Sequence, residues 1–200
     1  MGSGVFEDLN VLELTTAAMG PITGRYFANQ GATVIRIESS AHPDMVRLSP
    51  PFKPGVPRVN ASAFWTQFNT GKYDMSLNLK LAEGREVARR LVKWCDILIQ
   101  NFATGVMERL GLTYEELIKV NPSLLMIHMT NLGRTGPCAK HPGLGQPLQA
   151  VSGLVHLMGW PDRGPDNPFG AIPDIIAPPF AVAALVAALD FRRRTGQGQF

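Results

Sequence analysis

Five short strand-like runs, most of them set apart by helix-like segments, constrain this 200-residue chain more than any other feature. Residues 10–14 (Val11, Leu12, Leu14), 34–38, 74–79, 96–100 (Ile97, Leu98, Ile99) and 124–129 read as strands. Helices read over residues 21–30, 81–94, 105–110 and 114–120. Pro21 suits a first helical turn and Gly31 the far end of the same helix. Ala88, Leu91 and Val92 share one side of the 81–94 segment. Strands alternating with helices predict an α/β fold with a mostly parallel sheet and helices on both faces. Such sheets bind ligands outside the carboxyl ends of their strands.

Two stretches interrupt the alternation. Residues 39–57 carry five prolines (43, 50, 51, 54 and 57) and read as an extended surface excursion, neither helix nor strand. Residues 131–147 are rich in Gly and Pro. Residues 149–158 then read as a helix, and residues 159–173 as a long loop. The apolar stretch 174–189 follows as a final helix, starting at Asp174 and running into Arg192, Arg193 and Arg194. A helix N-terminus carries partial positive charge and free N–H groups, so a carboxylate there is expected to stay ionised. Asp174 is therefore either a plain helix cap or a pre-oriented nucleophile for acyl chemistry.

Composition narrows the class. A 45% apolar content supports a real core, and a net charge of +3 is too small to indicate nucleic acid as a partner. Two cysteines, Cys95 and Cys138, and an N-terminus without a charged-then-apolar pattern predict a reducing, cytoplasmic setting. The apolar run 175–189 spans 15 residues and contains Pro178 and Pro179, short of a membrane span. His42, His128, His141 and His156 form no pair at metal-ligand spacing on a helix, and no metal is expected. His141, in the Gly/Pro loop, is the histidine best placed for chemistry. There is no internal repeat and no nucleophile elbow around a serine.

Several turns could hold a ligand. The small residues after the first strand, ending in Ala18, Met19 and Gly20, could cradle a phosphate at a helix N-terminus. A dinucleotide site would need a third glycine beside Gly20 and Gly24. Glu38 ends the second strand, where a ribose-binding acid would stand, but also where a salt-bridged one would. Asn101 and Phe102 follow a buried-type strand; they read equally as a base-binding pair or as an Asn turn over a core Phe. Arg109 and Lys80 read either as phosphate partners or as solvated cations. The segment from Asn131 through Gly133, Arg134 and Gly136 reads more readily as a plain turn than as a phosphate loop.

Taken in order, these segments resemble the class III CoA-transferase family, which includes formyl-CoA transferase and the carnitine-pathway CoA-transferase. The resemblance runs through Ala18–Pro21, residues 31–38, Asn69–Lys72, Leu77–Lys80, Asn101–Gly111, Asn121 and Pro122, Gly133–Pro137, Ser152 and Gly153, and residues 174–199. It implies a Rossmann-like domain in an interlocked homodimer, with Asp174 as the catalytic residue. It implies CoA contacts at Ala18 and Met19; at Leu77, Asn78, Leu79 and Lys80; at Asn101, Phe102 and Ala103; at Arg109; and at Pro142, Gly143, Leu144 and Gly145. Coenzyme A enters as substrate, with acyl-CoA and a carboxylic acid as the partners and neither nucleic acid nor membrane.

Departures from the family pattern sharpen the expectation. Ser39 stands where formyl-CoA transferase has an arginine, and Ala18 where it has a glutamine, which argues against formyl or oxalate as the acid. Leu144, Gly145 and Gln146 stand where the family's racemases carry a His-Asp pair, which favours transferase over racemase. The resemblance covers only the first half of the family's length. It implies that residues 1–200 are the N-terminal part of the large domain, without the small domain, the C-terminal return segment and a glycine-rich loop beside the nucleophile. The expected activity moves CoA between acids through an aspartyl-CoA thioester on Asp174. The alternatives are an inactive CoA-binding or partner-binding fragment, a 2-methylacyl-CoA racemase-like enzyme and a nicotinamide dehydrogenase. Trp160 and Phe169, near the approach to Asp174, would suit a larger or more apolar acid than formate.

Overall fold

The computed structural model describes residues 4–56, 58–143, 145–167 and 170–200. Its centre is a five-stranded sheet formed by β1 (Asn10–Leu14), β2 (Thr33–Glu38), β3 (Tyr73–Ser76), β4 (Ile97–Gln100) and β5 (Leu125–His128). The order is β3-β2-β1-β4-β5 and every pairing is parallel. Leu12 sits between Ile35 of β2 and Leu98 of β4, so β1 is the central strand. The chain leaves β1 toward β2 and later returns on its other side to form β4. That reversal opens a crevice between the carboxyl ends of β1 and β4.

Period-two alternation divides the core in two. Val11, Val34, Ile97 and Ile99 face α1 (Met19–Asn29) and α8 (Ile172–Thr195), where Phe27, Ala181, Leu185 and Leu189 meet them. Leu12, Leu14, Ile37 and Leu98 face the opposite way. There they pack with Ala88 and Val92 of α3 (Ala82–Trp94), Met107 of α4 (Val106–Leu110) and Leu117 of α5 (Tyr114–Leu117). The inner strands β1 and β4 thus bury both sides, the condition under which a short parallel strand is stable, while the edge strand β3 is largely exposed.

The excursion after β2 contains more structure than its prolines predicted. A 3-10 turn covers Met45–Leu48, capped by the Asp44 carboxylate on the Val46 N–H. The helix α2 (Ala63–Asn69) was not anticipated, although Ser62 is a readable cap that accepts from the Trp65 N–H. Pro57 lies outside the described residues. The single helix expected over residues 149–158 is instead α6 (Gly145–Val151) and α7 (Leu154–Leu157). Gly153 separates them at φ 81°, a left-handed conformation that ends the first helix. The third strand stops at Ser76 rather than at residue 79.

The final helix, α8, starts at Ile172, two residues earlier than expected, and extends to Thr195. Its 24 residues, with a mean hydropathy of 1.9 over the best window, are long and apolar enough to cross a membrane. The shorter span read from the sequence missed this because it counted only the uninterrupted apolar run. Its stripe of Ala181, Leu185 and Leu189 nevertheless packs on α1 and β5, as a sheet-covering helix does. Only 22% of that window is buried, and Ile175 and Phe180 are 65% and 72% exposed. A large apolar face on α8 is therefore open. Beyond α8, Gln199 pairs in parallel with Leu125 on the outer edge of β5.

Candidate active site

The crevice holds two adjoining cavities. The larger, of about 670 Å³, brings Ala18, Met19, Asn101, Phe102, Ala103 and Arg109 together with Pro142, Gly143, Gly145 and Asp174. The smaller, of about 260 Å³, is lined by Leu77, Asn78, Leu79, Lys80 and again Phe102. Thr16 and Phe102 belong to both walls. Every site residue expected from the sequence thus lies at one end of the sheet, apart from Leu144, which lies outside the described residues. Ser39, His42 and Asp44, from the excursion, complete the smaller cavity, and His42 and Asp44 were not anticipated there.

Asp174 occupies the third position of α8 and is not its cap. The cap is Ala171, and no side chain bonds the first turn. Among the described residues no hydrogen-bond donor reaches the Asp174 carboxylate, and it is the only carboxylate lining the larger cavity. Burial pushes its pKa above the ordinary value. The cause is desolvation: the group is half-buried and its charge is poorly solvated. Pro178 lacks the N–H that would bond the Asp174 carbonyl, so the main chain at this turn is also left unpaired within the helix. Gly145 faces the carboxylate closely: a Cβ there would lie 2.7 Å from Asp174 Oδ2 and would collide with Ala171. Any side chain at position 145 would displace the acid.

Cations face the same space. Arg109 and Lys140 are exposed on the larger cavity, and Lys80 is exposed on the smaller. Lys80 Nζ lies 2.6 Å from His42 Nε2. His141, the histidine favoured for chemistry, also lines the larger cavity. Asn131 reaches back from the loop after β5 and donates to the Gly143 carbonyl at 2.5 Å, holding the Gly/Pro loop over the site. Among the described residues no group of three or more His, Cys, Asp or Glu is placed to hold a metal ion.

The turn between β1 and α1 is held from two sides. The Asn101 side chain accepts from the Thr16 N–H at 2.8 Å and donates to the Thr16 carbonyl at 2.8 Å. Asn101 thus joins the β4 loop to the β1 turn, closer to the Asn-turn reading than to a freely presented ligand contact. Ala17 has φ 61°, the one positive φ of a non-glycine residue among the described residues, a conformation that costs about 1–2 kcal/mol. Its N–H donates to Asp44 Oδ1 and Oδ2 at 3.1 and 3.0 Å. Asp44 is buried, and Arg36 Nη2 donates to its Oδ2 at 2.5 Å.

Glu38 belongs to that network and is not free for a ribose. It accepts from Arg36 at 2.5 Å, from Arg47 at 2.7 and 2.9 Å, and from the Asp44 N–H at 2.8 Å. Burial pushes its carboxyl up, but the bonds from Arg47, the Asp44 backbone and Arg36 prevail and hold it at about 2 instead of 4.5. A carboxylate with a depressed pKa contributes stability that is complete above its unfolded value and lost as pH falls through the folded one. The Glu38→Gln variant is expected to be less stable than the parent by about 3 kcal/mol near pH 7, with the gap closing toward pH 2. Urea unfolding across that range measures it; a gap independent of pH would contradict the ion-pair account.

Trp160 does not reach the site. It is 70% exposed and is not among the described residues lining either cavity. Its segment folds back on itself, with the Asp166 N–H donating to the Met158 carbonyl. Pro168 and Phe169 lie outside the described residues.

The fold is thus a parallel α/β sheet whose carboxyl-end crevice holds a half-buried acid, Asp174, on its larger cavity. The sequence profile of CoA-transferase family III matches residues 6–200, and the chain belongs to that family. It is 35% identical to an acetyl-CoA:oxalate CoA-transferase from Acetobacter aceti, over 98% of this chain and 49% of that protein. It is 36% identical to a succinate–glutarate CoA-transferase from Agrobacterium fabrum, over 96% and 48% respectively. A crystal structure of a CAIB/BAIF family protein from Brucella suis superposes with a TM-score of 0.91 at 35% identity, covering 99% of this chain and 52% of that one. The chain spans about half the length of the relatives it matches.

Proposed function

We propose that this chain carries the nucleophile and the CoA-binding wall of an enzyme that moves CoA from an acyl-CoA donor to a carboxylic acid. The observation that carries the reading is the position of Asp174. It is the sole carboxylate among the described residues lining the larger cavity, which also gathers Ala18, Met19, Asn101, Phe102 and the exposed cations Arg109 and Lys140. In this reading the Asp174 carboxylate attacks the thioester carbonyl, forming a mixed anhydride and releasing CoA thiolate. The thiolate attacks the aspartyl carbonyl of the anhydride, releasing the donor acid and leaving an aspartyl-CoA thioester. An acceptor carboxylate attacks that thioester to give a second anhydride and thiolate. Attack of the thiolate on the acceptor's acyl carbon yields the new acyl-CoA and restores Asp174. Each covalent stage divides one difficult exchange into easier ones.

Arg109, Lys140 and Lys80 supply the positive charge that the phosphates of CoA require. We read residues 1–200 as the N-terminal part of a larger Rossmann-like domain, with the open face of α8 covered by a second copy in a homodimer. The two free cysteines, Cys95 and Cys138, accord with a cytoplasmic setting.

The test is direct capture of the intermediate. Incubation with acetyl-CoA or succinyl-CoA, followed by hydroxylamine and peptide mass spectrometry, is expected to convert Asp174 to its hydroxamate. CoA binding without any adduct would support a second reading, a CoA-binding fragment without turnover.

A further inference from the structure

The Asp44 carboxylate does more than cap its own 3-10 turn. Both its oxygens accept from the Ala17 N–H, at 3.1 and 3.0 Å, across the mouth of the crevice. Behind it, Arg36 is almost fully buried in β2 and donates to Asp44 Oδ2. The Asp44 N–H is in turn bound by Glu38 at 2.8 Å. The excursion between β2 and β3 is thus tied to the end of β2, and through Asp44 to the turn that follows β1. That turn supplies Thr16 to both cavities and Ala17, Ala18 and Met19 to the larger one. Its strained residue, Ala17 at φ 61°, is the residue Asp44 holds. Strain that persists in a site wall requires a surrounding structure that over-determines it. Here the Asp44 anchor and the Asn101 clamp on Thr16 do so.

We propose that Asp44 is a positioning residue of this site. Backed by Arg36, it holds Ala17 left-handed, so that residues 16–19 form the wall against which CoA binds. The part concerning CoA rests on the CoA-transfer reading above. The part concerning the turn stands on geometry alone. A glycine at position 17 adopts the same φ without steric strain, so it should need the anchor less.

The experiment uses four forms of the chain: the parent, Asp44→Asn, Ala17→Gly and the double variant. Backbone amide exchange at position 17 and CoA binding by calorimetry are measured on each. The Asp44→Asn change is expected to speed exchange at Ala17 at least about tenfold and to weaken CoA binding by a similar factor. Adding Ala17→Gly to Asp44→Asn is expected to recover most of the CoA affinity, whatever happens to the melting temperature. Exchange at Ala17 unaltered by Asp44→Asn would overturn the proposal. So would a loss of affinity that follows the melting temperature and is not recovered by Ala17→Gly. If the parent itself binds no CoA, the transfer reading fails, and amide exchange decides the tether separately.

Discussion

Asp174→Asn is expected to lower CoA transfer by on the order of 10⁴-fold or more while CoA still binds. Asparagine keeps the size and shape of the side chain beside Gly145 but cannot form an anhydride or an aspartyl thioester. The Asp174→Ala variant should be equally inactive. Stability separates this prediction from a merely structural role. Burial holds the Asp174 pKa above its ordinary value of 3.8. A carboxylate with a raised pKa makes its ionised form a liability to the fold, so the native state loses stability as pH rises from the unfolded value through the folded one. Near neutral pH the Asp174→Asn chain should therefore melt at the same temperature as the parent or higher. A clear drop in melting temperature would return Asp174 to a structural role. The same shift requires that transfer fall on acidification at a pH above the usual aspartate range, because the nucleophile must be ionised. A rate independent of pH down to the ordinary aspartate value would contradict the raised pKa of the nucleophile.

Lys72→Met is expected to be the most destabilising single change, by about 3–5 kcal/mol in urea unfolding. Lys72 Nζ lies 2.9 Å from Glu13 Oε1, and the two side chains are 1% and 0% exposed. The ammonium also donates to the Pro21 carbonyl at 2.7 Å and to Asn69 Oδ1 at 3.2 Å. Burial pushes the Glu13 carboxyl up, and the Lys72 charge opposes it. Removing the cation strands the carboxylate under α1, where Gly24 has no Cβ because one would collide with it. The double change Glu13→Gln with Lys72→Met should therefore be less destabilised than Lys72→Met alone, since no buried charge remains unpaired. If the double variant is the weaker of the two, the pair is not what holds α1 in place. Its functional consequence follows from position: the pair anchors the first turn of α1, directly behind the turn that walls the site.

Much of the fold was readable because its signals are local. Residues 10–14 and 96–100 are short runs dominated by apolar side chains (Val11, Leu12 and Leu14; Ile97, Leu98 and Ile99), and they emerged as β1 and β4 with nearly the expected bounds. Helix α3 differed by one residue at its start. What the sequence concealed had competing signals. Five prolines masked the 3-10 turn at Met45–Leu48, and only the Ser62 cap announced α2. Gly153 broke a helix whose apolar pattern continued on both sides of it.

The site divides along the same line. Resemblance to the family pattern singled out Asp174, Lys80, Asn101 and Arg109 as candidates; Asn101 directly follows β4, Asp174 lies in the first turn of α8, and all four line the two cavities. The roles of two groups depended on partners distant in sequence. Asn101 is spent on Thr16, 85 positions earlier, and Ala17 is held by Asp44, 27 positions later. The sequence by itself determined a parallel α/β sheet and an acid at the start of its last helix, since both follow from periodicity and position within one segment. Only the tertiary structure decided that the acid is not a cap, that burial raises its pKa, and that a buried Arg36–Asp44 pair shapes the wall in front of it. Those properties arise from desolvation and from contacts between segments, and neither is present until the chain has folded.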